Sequence, residues 1–137
     1  MATRSTIAVL HNDGKVSSIY CHWDGYLNWN GKILSNHYNT LEQAESLVAL
    51  GNLSSLGARL VPYVDEEHTF DKRVKNVCLF YGRDRGEDDQ EACIYDSLED
   101  YFLQNNWEEY DYIFKDGKWN VVTDVCKRKI EALTITE

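Results

Sequence analysis

STIAVLHNDGKVSSIYCHW, residues 5–23, sets two runs rich in β-branched and aromatic residues on either side of Asn12-Asp13-Gly14. Asp and Gly tolerate the positive φ that tight hairpin turns require, so the stretch predicts two antiparallel strands over 7–23. YDYIFKDGKWNVVTD, residues 110–124, repeats the pattern around Asp116-Gly117, which predicts a second hairpin over 109–123. Locally paired strands at both ends of the chain call for an antiparallel sheet, and the segments between them must cover it.

Those segments carry helical periodicity. In NGKILSNHY, Ile33, Leu34, His37 and Tyr38 recur at helical spacing. Tyr26 and Trp29 extend the same face backwards, predicting a helix from about 27 to 37. In TLEQAESLVALG, Thr40 and Gln43 fit a capping box, Leu41, Ala44, Leu47 and Val48 form one apolar stripe, and Gly51 closes it. Ser97 is placed to cap a short helix that hides Leu98, Tyr101 and Phe102. A short edge strand is expected around Pro62. VKNVCLFYGRDRG and EACIYDS read as two strands paired across the acidic EDDQ turn, and the tail 125–137 fits helix or strand. The expected order ββααβββαββ is an α+β fold: a mainly antiparallel sheet with two hairpins and two to four helices packed on one side.

A chain of 137 residues is the size of one compact domain, here 1–137. With 43% hydrophobic residues and one proline, it has the composition of a folded protein rather than a disordered one. Acidic residues outnumber basic ones 23 to 14, and the net charge of -9 repels phosphate backbones, which argues against general nucleic-acid binding. No apolar run approaches the roughly 20 residues that span a bilayer, and MATRSTIAVL lacks the apolar core of a secretion signal. The expectation is a soluble protein with no membrane partner. Cys21, Cys78, Cys93 and Cys126 have no C-x-x-C spacing and read as buried free thiols.

Three constellations carry chemistry by residue type. In CHWDGY, residues 21–26, strand alternation sends Cys21 and Trp23 to one face and His22 to the other, so Cys21 and His22 do not form a nucleophile pair. The packing reading, which comes first, puts Trp23 in the core, Asp24 at a helix cap and Gly25 in a turn. The binding reading sets His22, Trp23 and Tyr26 around a concave mouth, where helix N–H groups favour an anion. In FYGRDRGEDD, Arg83 and Arg85 would project together from a strand as a guanidinium fork for phosphate or carboxylate. Ion pairing to Glu87, Asp88 and Asp89 is the local alternative and takes precedence. Arg4, beside Ser5 and Thr6, is either an anion contact or a solvated strand start. No phosphate-binding glycine loop, G-x-S-x-G elbow, H-E-x-x-H pair or isolated carboxylate pair is present, and the four histidines lack metal-ligand spacing. No metal, no cofactor and no turnover are therefore expected.

MATRSTIA, IYCHWDGY, the GKIL…HYNT helix, LVALGNLSSLG, YGRDRGE and YDYIFKDGKW together resemble a family of small uncharacterised proteins encoded by tailed bacteriophages and prophages, over residues 2 to about 119. The resemblance implies an accessory factor that acts in the host cytoplasm against an antiviral defence system by binding alone. In the first form it is an anti-CRISPR-like inhibitor that blocks a host defence protein. The alternative is a sponge for a nucleotide immune signal, a cyclic oligonucleotide or ADP-ribose derivative, held by Arg4, Arg83 and Arg85 at its phosphates and by Trp23 and Tyr26 at its base. A small nucleotide-processing enzyme using His22 and a distant carboxylate ranks third. The acidic charge favours the blocker, since it accelerates encounter with a basic groove. Homo-oligomerisation is left open.

Overall fold

A computed structural model describes residues 3–105, 107–124, 126 and 129–133. Strands β1 (Ser5–Leu10) and β2 (Val16–Cys21) form the first hairpin, with Ser5 opposite Cys21. Gly14 turns it at φ 90°. Further along, β3 (Leu53–Ser55), β4 (Leu79–Phe80) and β5 (Cys93–Tyr95) are short. The second hairpin is β6 (Tyr110–Lys115) with β7 (Lys118–Asp124), turned through Asp116 at φ 56° and Gly117 at φ 78°. Both turn residues thus occupy the positive-φ region that Asp-Gly suits.

The class is α+β, as expected. The sheet is larger than two hairpins: among the described residues it has eight strands, in the order β4-β3-β2-β1-β6-β7 and then β8 (Lys129–Ala132), with β5 pairing β2 off this path. It is mostly antiparallel, but β1 lies parallel to β6 and β2 parallel to β3. The β1–β6 contact joins the hairpins into one sheet and sets Ile7 opposite Tyr112. Of the tail, Lys129–Ala132 forms β8, which adds to β7; residues 125, 127, 128 and 134–137 lie outside the described ones.

Helices α1 (Lys32–His37) and α2 (Leu41–Val48) cover one face. Leu34, Tyr38, Ala44, Leu47 and Val48 pack there against Ile7, Val9, Ile19, Tyr112 and Phe114. Thr40 caps α2 by accepting from the Gln43 N–H, and Gly51 follows at φ 87° with Gln90 against its backbone, where an added Cβ would lie 2.2 Å from the Gln90 carbonyl oxygen. The single-sided arrangement expected from the sequence holds for α1 and α2. A second layer, α4 (Leu98–Gln104), caps through Ser97 and buries Tyr101 and Phe102 on the opposite face against Ala8, Val16 and Ile113. It exists because alternate residues of β1, β2 and β6 are apolar on both sides.

Two strand expectations fail. No strand forms around Pro62; Arg59 makes only an isolated bridge to Val77. The run at 79–80 pairs with β3 and not with 93–95, which pairs with β2 instead. Chain continuity at residue 81 explains this: Tyr81–Arg85 is a short helix, α3, that ends β4 and carries the chain away. Asp84 starts it by folding back to accept from the Phe80 N–H at 2.8 Å, a side-chain bond that competes with strand continuation.

Candidate functional site: an exposed aromatic segment on a buried scaffold

Residues 22–31 leave β2 and enter α1 through a π-helical turn, Leu27–Gly31. The Gly31 N–H reaches back to Tyr26 and the Lys32 N–H to Leu27, five residues apart. That wider turn shifts the side chains out of the register extrapolated from α1. Tyr26 and Trp29 consequently leave the buried face on which periodicity placed them and are 38% and 48% exposed. Trp23, read as core, is 41% exposed. The strand ends at Cys21, so the alternation that would bury Trp23 stops short of it, and Asp24 then turns the chain at φ 58°.

Beneath these rings the backbone is held firmly. The His22 and Trp23 N–H groups donate to the carbonyls of Leu53 and Ser54, and the Gly25 N–H donates to Thr3 O at 2.8 Å. Gly25 is required here: a Cβ would stand 2.9 Å from both Ser5 Cβ and Thr3 O. Fully buried Asn30 donates through Nδ2 to Ser5 Oγ and Trp23 O. Tyr112 donates to Gly25 O at 2.6 Å. Cys21, also fully buried, has its thiol pushed up to about 12 by desolvation, so it is an uncharged packing group.

The candidate residues divide into two groups. Arg4 lies beside the segment: its neighbours Thr3 and Ser5 support Gly25, its carbonyl accepts from Tyr110 N–H, and its charge acts on Tyr20. The Tyr20 hydroxyl bonds His22 Nδ1 at 2.7 Å, and the His22 ring packs edge-on against Trp23 with centroids 4.8 Å apart. Arg4, His22, Trp23 and Tyr26 therefore belong to one region. Arg83 and Arg85 belong to another, and no hydrogen bond or ion pair joins the two groups among the described residues.

The expected guanidinium fork is not formed. On helical α3, residues two apart diverge instead of aligning as they would on a strand. Arg83 donates to Leu60 O at 2.7 Å, to Cys78 O at 2.9 Å and to Asp84. It clasps the long loop between β3 and β4, helped by buried His68, whose Nδ1 accepts from Val74 N–H while Nε2 bonds Cys78 O. Arg85 pairs with Glu87 at 3.4 Å and lies over Phe70. The acidic turn thus takes Arg85, whereas Arg83 is taken by Asp84 and backbone carbonyls that no local spacing reveals. Of the cysteines, Cys21 and Cys78 are buried and free, but Cys93 and Cys126 are exposed, against the expectation.

Trp29 is the functional candidate missed in the sequence. No local signal marks it, since Tyr26, Trp29 and Ile33 fall at the spacing of an ordinary buried helix face. Among the described residues no group of three or more His, Cys, Asp or Glu is gathered for a metal ion, and no helix is long and apolar enough to cross a membrane. The chain matches no family model, no curated protein and no solved structure.

Proposed function

We propose that this chain is a binding protein that docks on a basic partner protein through Trp23, Tyr26 and Trp29, and that its role is to block a host antiviral defence protein in the manner its phage-family resemblance implies. The observation that carries the reading is the exposure of three large aromatics within seven residues on a backbone fixed by buried hydrogen bonds. Exposed aromatics on a rigid support act as anchors because they bring apolar area at little entropic cost. The net charge of -9 favours a basic partner surface. The sponge reading loses support with Arg83 engaged by Leu60, Cys78 and Asp84.

The test is co-expression with a panel of bacterial defence systems, scored by phage plating, followed by calorimetry with the purified defence protein that is neutralised. The reading requires a stoichiometric complex that Trp23→Ala and Trp29→Ala each weaken at least tenfold. Saturable binding of a cyclic oligonucleotide or ADP-ribose derivative, with no protein complex, would replace the blocker by the sponge.

A further inference from the structure

A cleft of about 780 Å³ lies away from the aromatic segment, between the first hairpin turn, α2 and the start of β5. Three polar side chains meet in it. Ser17 Oγ is 2.7 Å from His11 Nε2, and His11 Nδ1 is 2.5 Å from Glu45 Oε2. A carboxylate at Nδ1 holds the proton on that nitrogen, which leaves the Nε2 lone pair to accept from the Ser17 hydroxyl. The connectivity is hydroxyl to Nε2 and Nδ1 to carboxylate, the order in which serine hydrolases activate their nucleophile.

We propose that Ser17 and His11 are a nucleophile and general base, oriented by Glu45, and that the cleft takes a short-chain acyl ester. The elements holding them are rigid: Ser17 sits between β1 and β5, opposite Val9 and Ile94, and Glu45 lies on α2, whose N-terminus is capped. Val48, Ala49, Ala92 and Ile94 give the cleft an apolar wall for the acyl chain. Asn12 and Lys15 also line the cleft; the Lys15 backbone N–H is given to Asp13 Oδ1 at 3.0 Å, so their side-chain amide and ammonium groups are the donors that would meet a developing oxyanion. Asp13, Glu45 and Glu91 outnumber that one lysine, which disfavours a phosphoester and favours a neutral carboxylic ester.

The chemistry closes with water as the only co-reactant. Ser17 Oγ bonds the carbonyl carbon as its proton passes to His11 Nε2, the ester C–O bond breaks, and His11 returns that proton to the leaving alcohol. Water then attacks the acyl-serine, giving its proton to His11, and the carboxylic acid leaves as Ser17 regains its hydroxyl proton. Binding through the aromatic segment uses none of these groups, so either proposal stands or falls alone.

The experiment is labelling of the full chain by a fluorophosphonate probe, with the site located by peptide mass spectrometry, alongside release of p-nitrophenol from p-nitrophenyl butyrate. Label on Ser17 in the folded protein, absent in urea, is expected. Both readouts should disappear in Ser17→Ala and fall roughly 100-fold in His11→Asn. Glu45→Gln should slow them, with Glu45→Asp restoring part of the rate, a recovery that a merely structural tie would not produce. Folding of each variant is checked by circular dichroism. An unlabelled Ser17 in the folded wild type, or equal labelling in urea, overturns the proposal whatever the variants do.

Discussion

Tyr112 on β6 donates a 2.6 Å hydrogen bond to the carbonyl of Gly25, 87 residues earlier in the chain. The sheet centre is thereby tied to the exposed aromatic segment, because Tyr112 is fully buried and stands opposite Ile7 on the neighbouring strand. Tyr112→Phe keeps the ring and removes only the donor. It should destabilise the fold by about 1–3 kcal/mol, the cost of leaving a buried carbonyl unpaired. Urea denaturation measures the loss, and hydrogen exchange should accelerate in residues 24–31 first.

Trp23→Ala and Trp29→Ala should each cost less than about 1 kcal/mol, since both rings are near half exposed and truncation leaves no closed cavity. A loss of about 3 kcal/mol or more for Trp23→Ala would return that ring to the core. Chemical denaturation decides.

Arg83 and Arg85 should behave oppositely. Arg83→Ala removes the donor from two carbonyls and Asp84 and should destabilise by roughly 1–3 kcal/mol. Limited proteolysis should then cut within 59–78 sooner. Arg85→Ala breaks one exposed ion pair and should stay within about 0.5 kcal/mol of wild type.

Burial pushes the Asp111 carboxyl up to about 6, against the Thr6 hydroxyl and Glu108 N–H bonds that favour its charged form. The folded state then binds more protons than the unfolded state between the ordinary Asp value and about 6, so this group's contribution to stability falls as pH rises through that window. The penalty above it is at most about 3 kcal/mol. Asp111→Asn should flatten this part of the stability profile, read from urea midpoints between about pH 4 and pH 7.

Thiol reactivity should follow burial. Iodoacetamide should modify Cys93 and Cys126 in the folded protein and spare Cys21 and Cys78 until denaturant is added. For Cys21 the raised thiol gives a second reason, as the thiolate is the reacting form. Peptide mapping before and after unfolding checks this.

Local chemistry was enough to place both hairpins, α2 with its Thr40 cap, the Ser97 cap and the chain positions of the turn between 27 and 37. Each rests on neighbours within a few residues: an Asp-Gly turn, a hydroxyl three residues before an N–H, or an apolar stripe at helical spacing. Tertiary structure alone decided what those elements meet. The parallel contact of β1 with β6 joins residues about a hundred positions apart, and no periodicity encodes such a partner. Asp84 converted an apparent strand into α3 by bonding Phe80 N–H, which placed Arg83 on Leu60 and Cys78 instead of beside Arg85. The π turn moved Trp29 outward by a register change that heptad-like counting does not register. Ser17, His11 and Glu45 lie on a strand, a turn and a helix, and only packing of α2 against the first hairpin brings them within 2.7 Å.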